Sequence, residues 1–368
     1  MELVKAKRDD LLAPLASVSG IIERRHTLPI LSNVLIELAE GRLTFLATDI
    51  EIQICARTSL DASGEARAVT VGARKLLDIL RALPEGADTS LTLQDKRMQL
   101  KAGRSRFSLQ TLPAEDFPRL AKPAGEIARF ALPQKALRRL LGLVQYSMAQ
   151  QDIRYYLNGL LMVVEDKQLK LVATDGHRLA YASLPLAAEV PRQEVIIPRK
   201  TVLELSKLLD ESDEEVRIEV SSTQAGFVFG TIELVSKLVD GKFPDYTRVI
   251  PKEHKNRLQI DREALRQALQ RAAILSNEKF RGVRWVLTDN NLKIISSNAE
   301  QEEATEELEV QYSGDALDIG FNVTYLLDVL NNVSGSAVEA SFGDAASSTL
   351  IFVPGEKDFK YVVMPMRI

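Results

Sequence analysis

The sequence holds one cysteine, Cys55, three histidines and one tryptophan among its 368 residues. A lone cysteine cannot close a disulfide within the chain or build a cysteine-based zinc site. His26, His177 and His254 are scattered and make no metal-ligand spacing. No run approaches the ~18 apolar residues of a membrane span. Residues 1–10 alternate charged and apolar side chains and lack the apolar core of a signal peptide. Positive charge is not in excess either: 47 Lys and Arg face 51 Asp and Glu, a net charge of −4 that by itself speaks against nucleic-acid binding. There is no Gly-x-Ser-x-Gly elbow, no Walker A loop and no His-Glu-x-x-His helix. The expectation is a soluble cytoplasmic protein in a reducing compartment, with no metal, no cofactor and no membrane partner.

What is present is repetition. Gly41-Arg-Leu-Thr-Phe-Leu-Ala-Thr-Asp49 matches Lys167-Gln-Leu-Lys-Leu-Val-Ala-Thr-Asp175, and a third copy runs Asn290-Asn-Leu-Lys-Ile-Ile-Ser-Ser-Asn298. Residues 71–83, 197–209 and 321–333 form a second matching set, and segments beginning at Arg8, Pro133 and Asp261 form a third. All recur in the same order about one third of the chain apart, far longer than a solenoid period and long enough for a domain with its own core. The reading is three homologous domains, 1–124, 125–250 and 251–368.

Each copy opens with an amphipathic helix, as in Leu137, Leu140, Leu141 and Val144 at i, i+3, i+4, i+7. Strands follow, with a turn at Glu40 and Gly41, then a second helix and further alternating strands. Two helices and half-buried antiparallel sheets per copy predict an α+β fold.

Asp175 ends an apolar strand and is followed by Gly176, His177 and Arg178, so an Asp–His hydrolase centre is one reading. The motif recurs at Asp49 without the histidine and at Asn298 with an amide, which favours a structural turn, since Asp and Asn both bond their own backbone. The acidic run from Glu300 to Glu309 lacks the glycine and spacing of a calcium loop and predicts a charged strand edge.

The charge is segregated. The six predicted helical segments, residues 5–25, 73–83, 133–150, 198–210, 260–273 and 322–332, sum to +8, leaving −12 elsewhere. If repeated by rotation, these helices form one positive face that suits phosphates without sequence preference.

Several long strings occur together in a known family: Gly103-Arg-Ser-Arg-Phe-Ser-Leu109, Gln151-Asp-Ile-Arg-Tyr-Tyr-Leu-Asn-Gly159, Ala173-Thr-Asp-Gly-His-Arg-Leu179, residues 27–33, 236–246 and 273–282, and Tyr361-Val-Val-Met-Pro-Met-Arg367. Nearly end to end, the chain resembles the β subunit of bacterial DNA polymerase III, the sliding clamp. The resemblance implies a head-to-tail homodimer closing a six-domain ring around duplex DNA, lined by helices, with no chemistry of its own. It implies DNA contacts at Arg24, Arg25, Arg74, Gln151, Tyr155, Tyr156, Arg199 and Lys200.

It implies a partner-peptide pocket at Arg154, Leu157, Thr174, Gly176, His177, Arg178, Leu179, Pro244, Arg248, Val249, Asn322, Tyr325, Ser348, Val362, Val363, Met364, Pro365, Met366 and Arg367. Phe107 and Leu109 are implied against Ile274 and Leu275 of a second subunit, with Lys75, Arg104 and Arg106 facing Glu300, Glu303 and Glu306. The implied partners are the clamp-loader delta subunit, the polymerase alpha subunit, translesion polymerases, ligase, and mismatch-repair and initiation-control proteins, in the nucleoid. The competing readings are the hydrolase and a monomeric scaffold that never meets DNA.

Overall fold

The computed structural model describes residues 2–23, 28–60, 66–121, 123–251 and 254–368. Among these, six α-helices occur in chain order: α1 Arg8–Val18, α2 Ala73–Ala82, α3 Gln134–Val144, α4 Arg199–Leu208, α5 Arg262–Ile274 and α6 Val323–Asn332. That is two per copy, as the periodicity predicts. Local chemistry sets their starts and faces. Asp261 accepts the Ala264 amide at 2.7 Å and opens α5, and Asn322 accepts the Thr324 and Tyr325 amides and opens α6. In α2 the buried set Ala73, Leu76, Leu77 and Leu80 follows the helical period and leaves Arg74 and Lys75 in solvent.

Strands are antiparallel throughout the described residues and gather into two compact units. The first unit is Met1–Ala136 with Leu203–Leu238 and carries a twelve-stranded sheet. In it the strand Ile52–Ser59 pairs with Ile232–Lys237, Cys55 lying opposite Glu233, so strands of the first and second copies share one sheet. The second unit, Leu137–Val202 with Val239–Ile368, holds sheets of seven and four strands. There the long hairpin Gly159–Thr174 and Arg178–Pro198 pairs onward with Phe359–Val363, joining the second copy to the third. Backbone pairing across copy boundaries is why three homologous copies cluster as two units. The third copy's core centres on Trp285, packed edge-on to Phe321 at 5.3 Å and fully buried.

The helix bounds correct the charge count. Residues 5–25 are not one basic helix: Lys5 and Lys7 lie in the strand Glu2–Lys7, and Arg24 and Arg25 fall outside the described residues. α1 itself carries Arg8 against Asp9 and Asp10, net −1. With α2 at +2, α3 at +3, α4 at +2, α5 at +2 and α6 at −1, the helices total +7 and the rest of the chain −11. The segregation stands, carried by α2 to α5. No helix among the described residues is long and apolar enough to cross a membrane.

Candidate partner-binding cavity

The hairpin Gly159–Thr174 and Arg178–Pro198 shifts register around Asp166 and then keeps it from Gln168 to its tip, where Thr174 faces Leu179. Three residues turn the chain. Asp175 Oδ1 accepts the His177 and Arg178 amides at 2.9 and 3.1 Å, while Oδ2 accepts Arg178 Nε at 3.1 Å. Thr174 Oγ1 donates to the Arg178 carbonyl at 2.6 Å. The same turn recurs at Asp49, which accepts the Glu51 and Ile52 amides, and in a longer form at Asn298, which accepts those of Glu300 and Glu302. Both Asp175 oxygens are thus engaged by N–H donors, and the carboxylate closes a turn as its counterparts do. That geometry favours the structural turn over a general base.

Arg178 crosses beneath the turn, its side chain only 9% exposed. Nη1 donates to Asp328 of α6 at 2.5 Å, Nη2 to the Tyr146 carbonyl at 2.6 Å, and the guanidinium lies 4.4 Å from the Tyr325 ring centre. Burial pulls its pKa down, but Tyr361, Asp328 and Asp175 outweigh burial and hold it above the ordinary value. Burial pushes the Tyr361 and Tyr146 hydroxyls up.

Arg154 grips the turn from the opposite side. It forks onto Asp152 at 3.0 and 2.8 Å and donates to the Asp175 carbonyl at 3.1 Å. Gly176 has φ +90°, which favours glycine, and a Cβ there would meet Arg154 Nη2 at 2.9 Å and displace the guanidinium. The hydrogen bonds from Arg154 hold the Asp152 carboxyl at about 2, below its usual 3.8. A depressed acid contributes stability above pH 3.8 that is lost as pH falls through about 2. Asp152 is therefore expected to titrate near pH 2 by its carboxyl carbon shift; a midpoint near 3.8 would mean that the fork does not form in solution.

Between these two arginines opens a cavity of about 430 Å³. Leu157, Leu179 and Val362, each at most 2% exposed, form its floor, and the half-exposed Val249 and Met364 flank its mouth. Arg154, Thr174, Gly176, His177, Arg178, Pro244, Arg248 and Ser348 complete the set shared with the sequence reading. Phe243 and Tyr246 also line it, and the sequence reading missed them although they bracket Pro244.

Six residues of that reading do not line it. Asn322 caps α6, Tyr325 lies against the Arg178 guanidinium, and Val363 is fully buried. Met366 bonds the Gly320 carbonyl through its amide at 2.9 Å, with Pro365 and Arg367 on either side of it in sequence.

Family models for the DNA polymerase III beta subunit match three successive stretches: the N-terminal domain over residues 2–121, the central domain over 131–245 and the C-terminal domain over 247–367. The chain belongs to the DNA polymerase III beta subunit family. It is 49% identical to the beta sliding clamp of Escherichia coli K12 over 362 residues, 98% of this chain and 99% of that one. It is 47% identical to that of Pseudomonas aeruginosa over 365 residues, again 98% and 99% of the two chains. A crystal structure of the Pseudomonas aeruginosa clamp bound to griselimycin superposes with a TM-score of 0.96 at 46% identity, covering all of both chains. One from Caulobacter crescentus gives 0.92 at 40% identity, likewise over all of both chains. The chain is a DNA sliding clamp of replication: three tandem α+β clamp domains, non-catalytic, of a kind that dimerises into rings.

The other expected positions of the clamp divide as follows. Arg24 and Arg25 lie outside the described residues. Arg74 is exposed on α2 and donates to the Ile22 carbonyl at 3.2 Å. Gln151 sits at φ +57°, at the start of the loop that carries Arg154 and Leu157 into the cavity wall. Tyr155 is 58% exposed and meets Tyr156 edge-on at 5.8 Å, with Tyr156 packed on the cavity's core cluster. Arg199 is half-buried at the start of α4 and donates to the Met148 carbonyl at 3.2 Å. Burial, then repulsion from Arg178, lowers its pKa. Lys200 follows it in the first turn of α4, half-exposed.

Two strand edges of the clamp stay open among the described residues. Ser105–Leu112 pairs along one side with Arg97–Ala102, but on the other only Thr111 and Leu112 are paired. Arg104 and Arg106 form no ion pair there, and Phe107 and Leu109 are half-exposed. Glu303–Glu309 is the outer strand of the four-stranded sheet. Its alternation puts Glu303 in solvent and turns Glu306 inward, where Arg271 of α5 forks onto it at 2.8 and 2.6 Å. Glu306 is thus held by Arg271 within its own chain, with its side chain still 21% exposed. Glu300 and Glu303 stay exposed, as do Lys75 and, at 77%, Ile274; Leu275 is the half-exposed C-cap of α5.

Proposed function

We propose that the cavity between Arg154 and Arg178 receives short apolar segments of replication and repair proteins, and that the clamp holds them on DNA that its ring encircles. The observation that carries this reading is the cavity itself: an apolar floor, adaptable Met and Val at its mouth, and two arginines fixed by carboxylates on either side. Its partners are the clamp-loader delta subunit, the polymerase alpha subunit, translesion polymerases, ligase, and mismatch-repair and initiation-control proteins, in the cytoplasm at the nucleoid. The domains are 1–124, 125–250 and 251–368.

In this reading DNA meets Arg24, Arg25, Arg74, Gln151, Tyr155, Tyr156, Arg199 and Lys200. These are phosphate and sugar partners, so they position the duplex without reading its sequence. The basic edge at Lys75, Arg104 and Arg106 meets the acidic edge at Glu300, Glu303 and Glu306 of a second chain, with Phe107 and Leu109 against Ile274 and Leu275. A head-to-tail contact that closes after two chains leaves no free end.

Enclosure makes retention topological. Loaded onto a nicked circular duplex, the clamp is expected to stay through gel filtration in high salt and to be released when the circle is linearised. Equal loss from both forms would overturn the encircling reading and leave an ordinary salt-sensitive binder.

A further inference from the structure

One face of the seven-stranded sheet carries residues of the partner cavity and of a second opening. Along the strand Phe359–Val363, Val362 lines the cavity and Lys360, two residues earlier, projects on the same face about 7 Å away. Lys360 lines a second opening of about 470 Å³ with His254, Arg257, Leu350, Phe352 and Lys357 among its walls. Neighbouring residues link the two. Leu350 stands opposite Val362 and packs on the cavity's core cluster. Tyr181 carries the Lys360 ammonium 5.9 Å from its ring centre and stacks on Tyr246 of the cavity wall.

The second opening is positive without internal compensation. Arg257 and Lys357 are exposed, and no ion pair engages them or Lys360 among the described residues. The one acid in the wall, Glu356, is taken by Arg139 of α3 at 3.0 Å. His254 adds a buried Nε2 with no hydrogen-bond partner. Asp344 nearby closes its own loop through Ser347 and the Ala346 amide. Half-buried Leu350 and Phe352 supply an apolar bed beneath these charges.

We propose that this cleft is a second subsite for the same protein tails, and that it binds acidic residues flanking the apolar anchor. The inference rests on the reading of the cavity as the anchor site. Shape continuity along one strand delivers the chain from one opening to the next, and three uncompensated cations select carboxylates over neutral side chains.

The test uses the full-length clamp and fluorescein-labelled peptides carrying a Leu-Phe anchor. The anchor is extended at its N- or C-terminal end by three Asp or by three Ser, and binding is followed by anisotropy in low salt. One of the two Asp peptides is expected to bind about 10-fold more tightly than its Ser counterpart. That gain should fall to less than 2-fold in Arg257→Ser/Lys357→Ser, whose affinity for the Ser peptides should match wild type, and in 0.5 M salt. Equal binding of Asp and Ser peptides, with the anchor still bound, overturns the acidic subsite and leaves the cavity reading standing. A gain that survives in the double variant also overturns it. Failure of every peptide to bind removes the anchor site, and the subsite with it.

Discussion

Arg178→Ala is expected to lower stability by about 3 kcal/mol and to abolish peptide binding in the cavity. The side chain is almost fully buried and ends on three acceptors: Asp175, Asp328 and the Tyr146 carbonyl. Removing one member of such a set leaves the others desolvated, which costs more than the intact set contributes. Asp175 keeps two backbone amides, and Asp328 is 31% exposed, so the loss falls at the low end of the usual range for a broken buried pair. Arg178→Lys separates charge from shape. It restores a cation but cannot reach three acceptors in a planar fork, so its melting temperature should lie between those of wild type and the alanine variant. Thermal melts of the three proteins decide the matter: an alanine variant that melts with wild type would show that the network carries no stability.

Ile274→Asp is expected to shift the clamp in sedimentation from twice 40.9 kDa to 40.9 kDa at micromolar concentration. The residue is a large apolar side chain 77% exposed at the end of α5, the helix that Arg271 ties to the open acidic strand through Glu306. In a closed head-to-tail pair every contact occurs twice, so one substitution is felt at two interfaces. Two buried apolar anchors lost at about 2 kcal/mol each weaken the dimer by roughly 1,000-fold. An Ile274→Asp protein that sediments as a dimer would move the subunit contact away from this edge.

Much of this was legible in the residues alone, because the signals were periodic. Three recurring strings predicted two helices per copy, and the Asp49, Asp175 and Asn298 positions were read as turns from side-chain chemistry that Asp and Asn share. What the strings could not show was pairing between copies, such as Cys55 opposite Glu233, since register between distant strands leaves no local mark. Phe243 and Tyr246 went unread because aromatics beside a proline look like ordinary core.

The acidic run shows as a block of charge in the sequence, whereas residues on a strand alternate, which puts 303, 305, 307 and 309 on one face and 306 on the other, where Arg271 reaches it. The charge on α1 is not legible in the sequence because Lys5 and Lys7 of the preceding strand adjoin the helix with no break in the chain.

Gly176 sets a limit on how this surface can change. Its positive φ strains any other residue, and a side chain there has to push the Arg154 guanidinium aside. A molecule lodged against that wall is evaded there by altering position 176 or dislodging Arg154, and in the proposed reading either change deforms the seat that the clamp's partners use. Escape and function draw on the same few atoms, so resistance arising at this position should carry a growth defect with it.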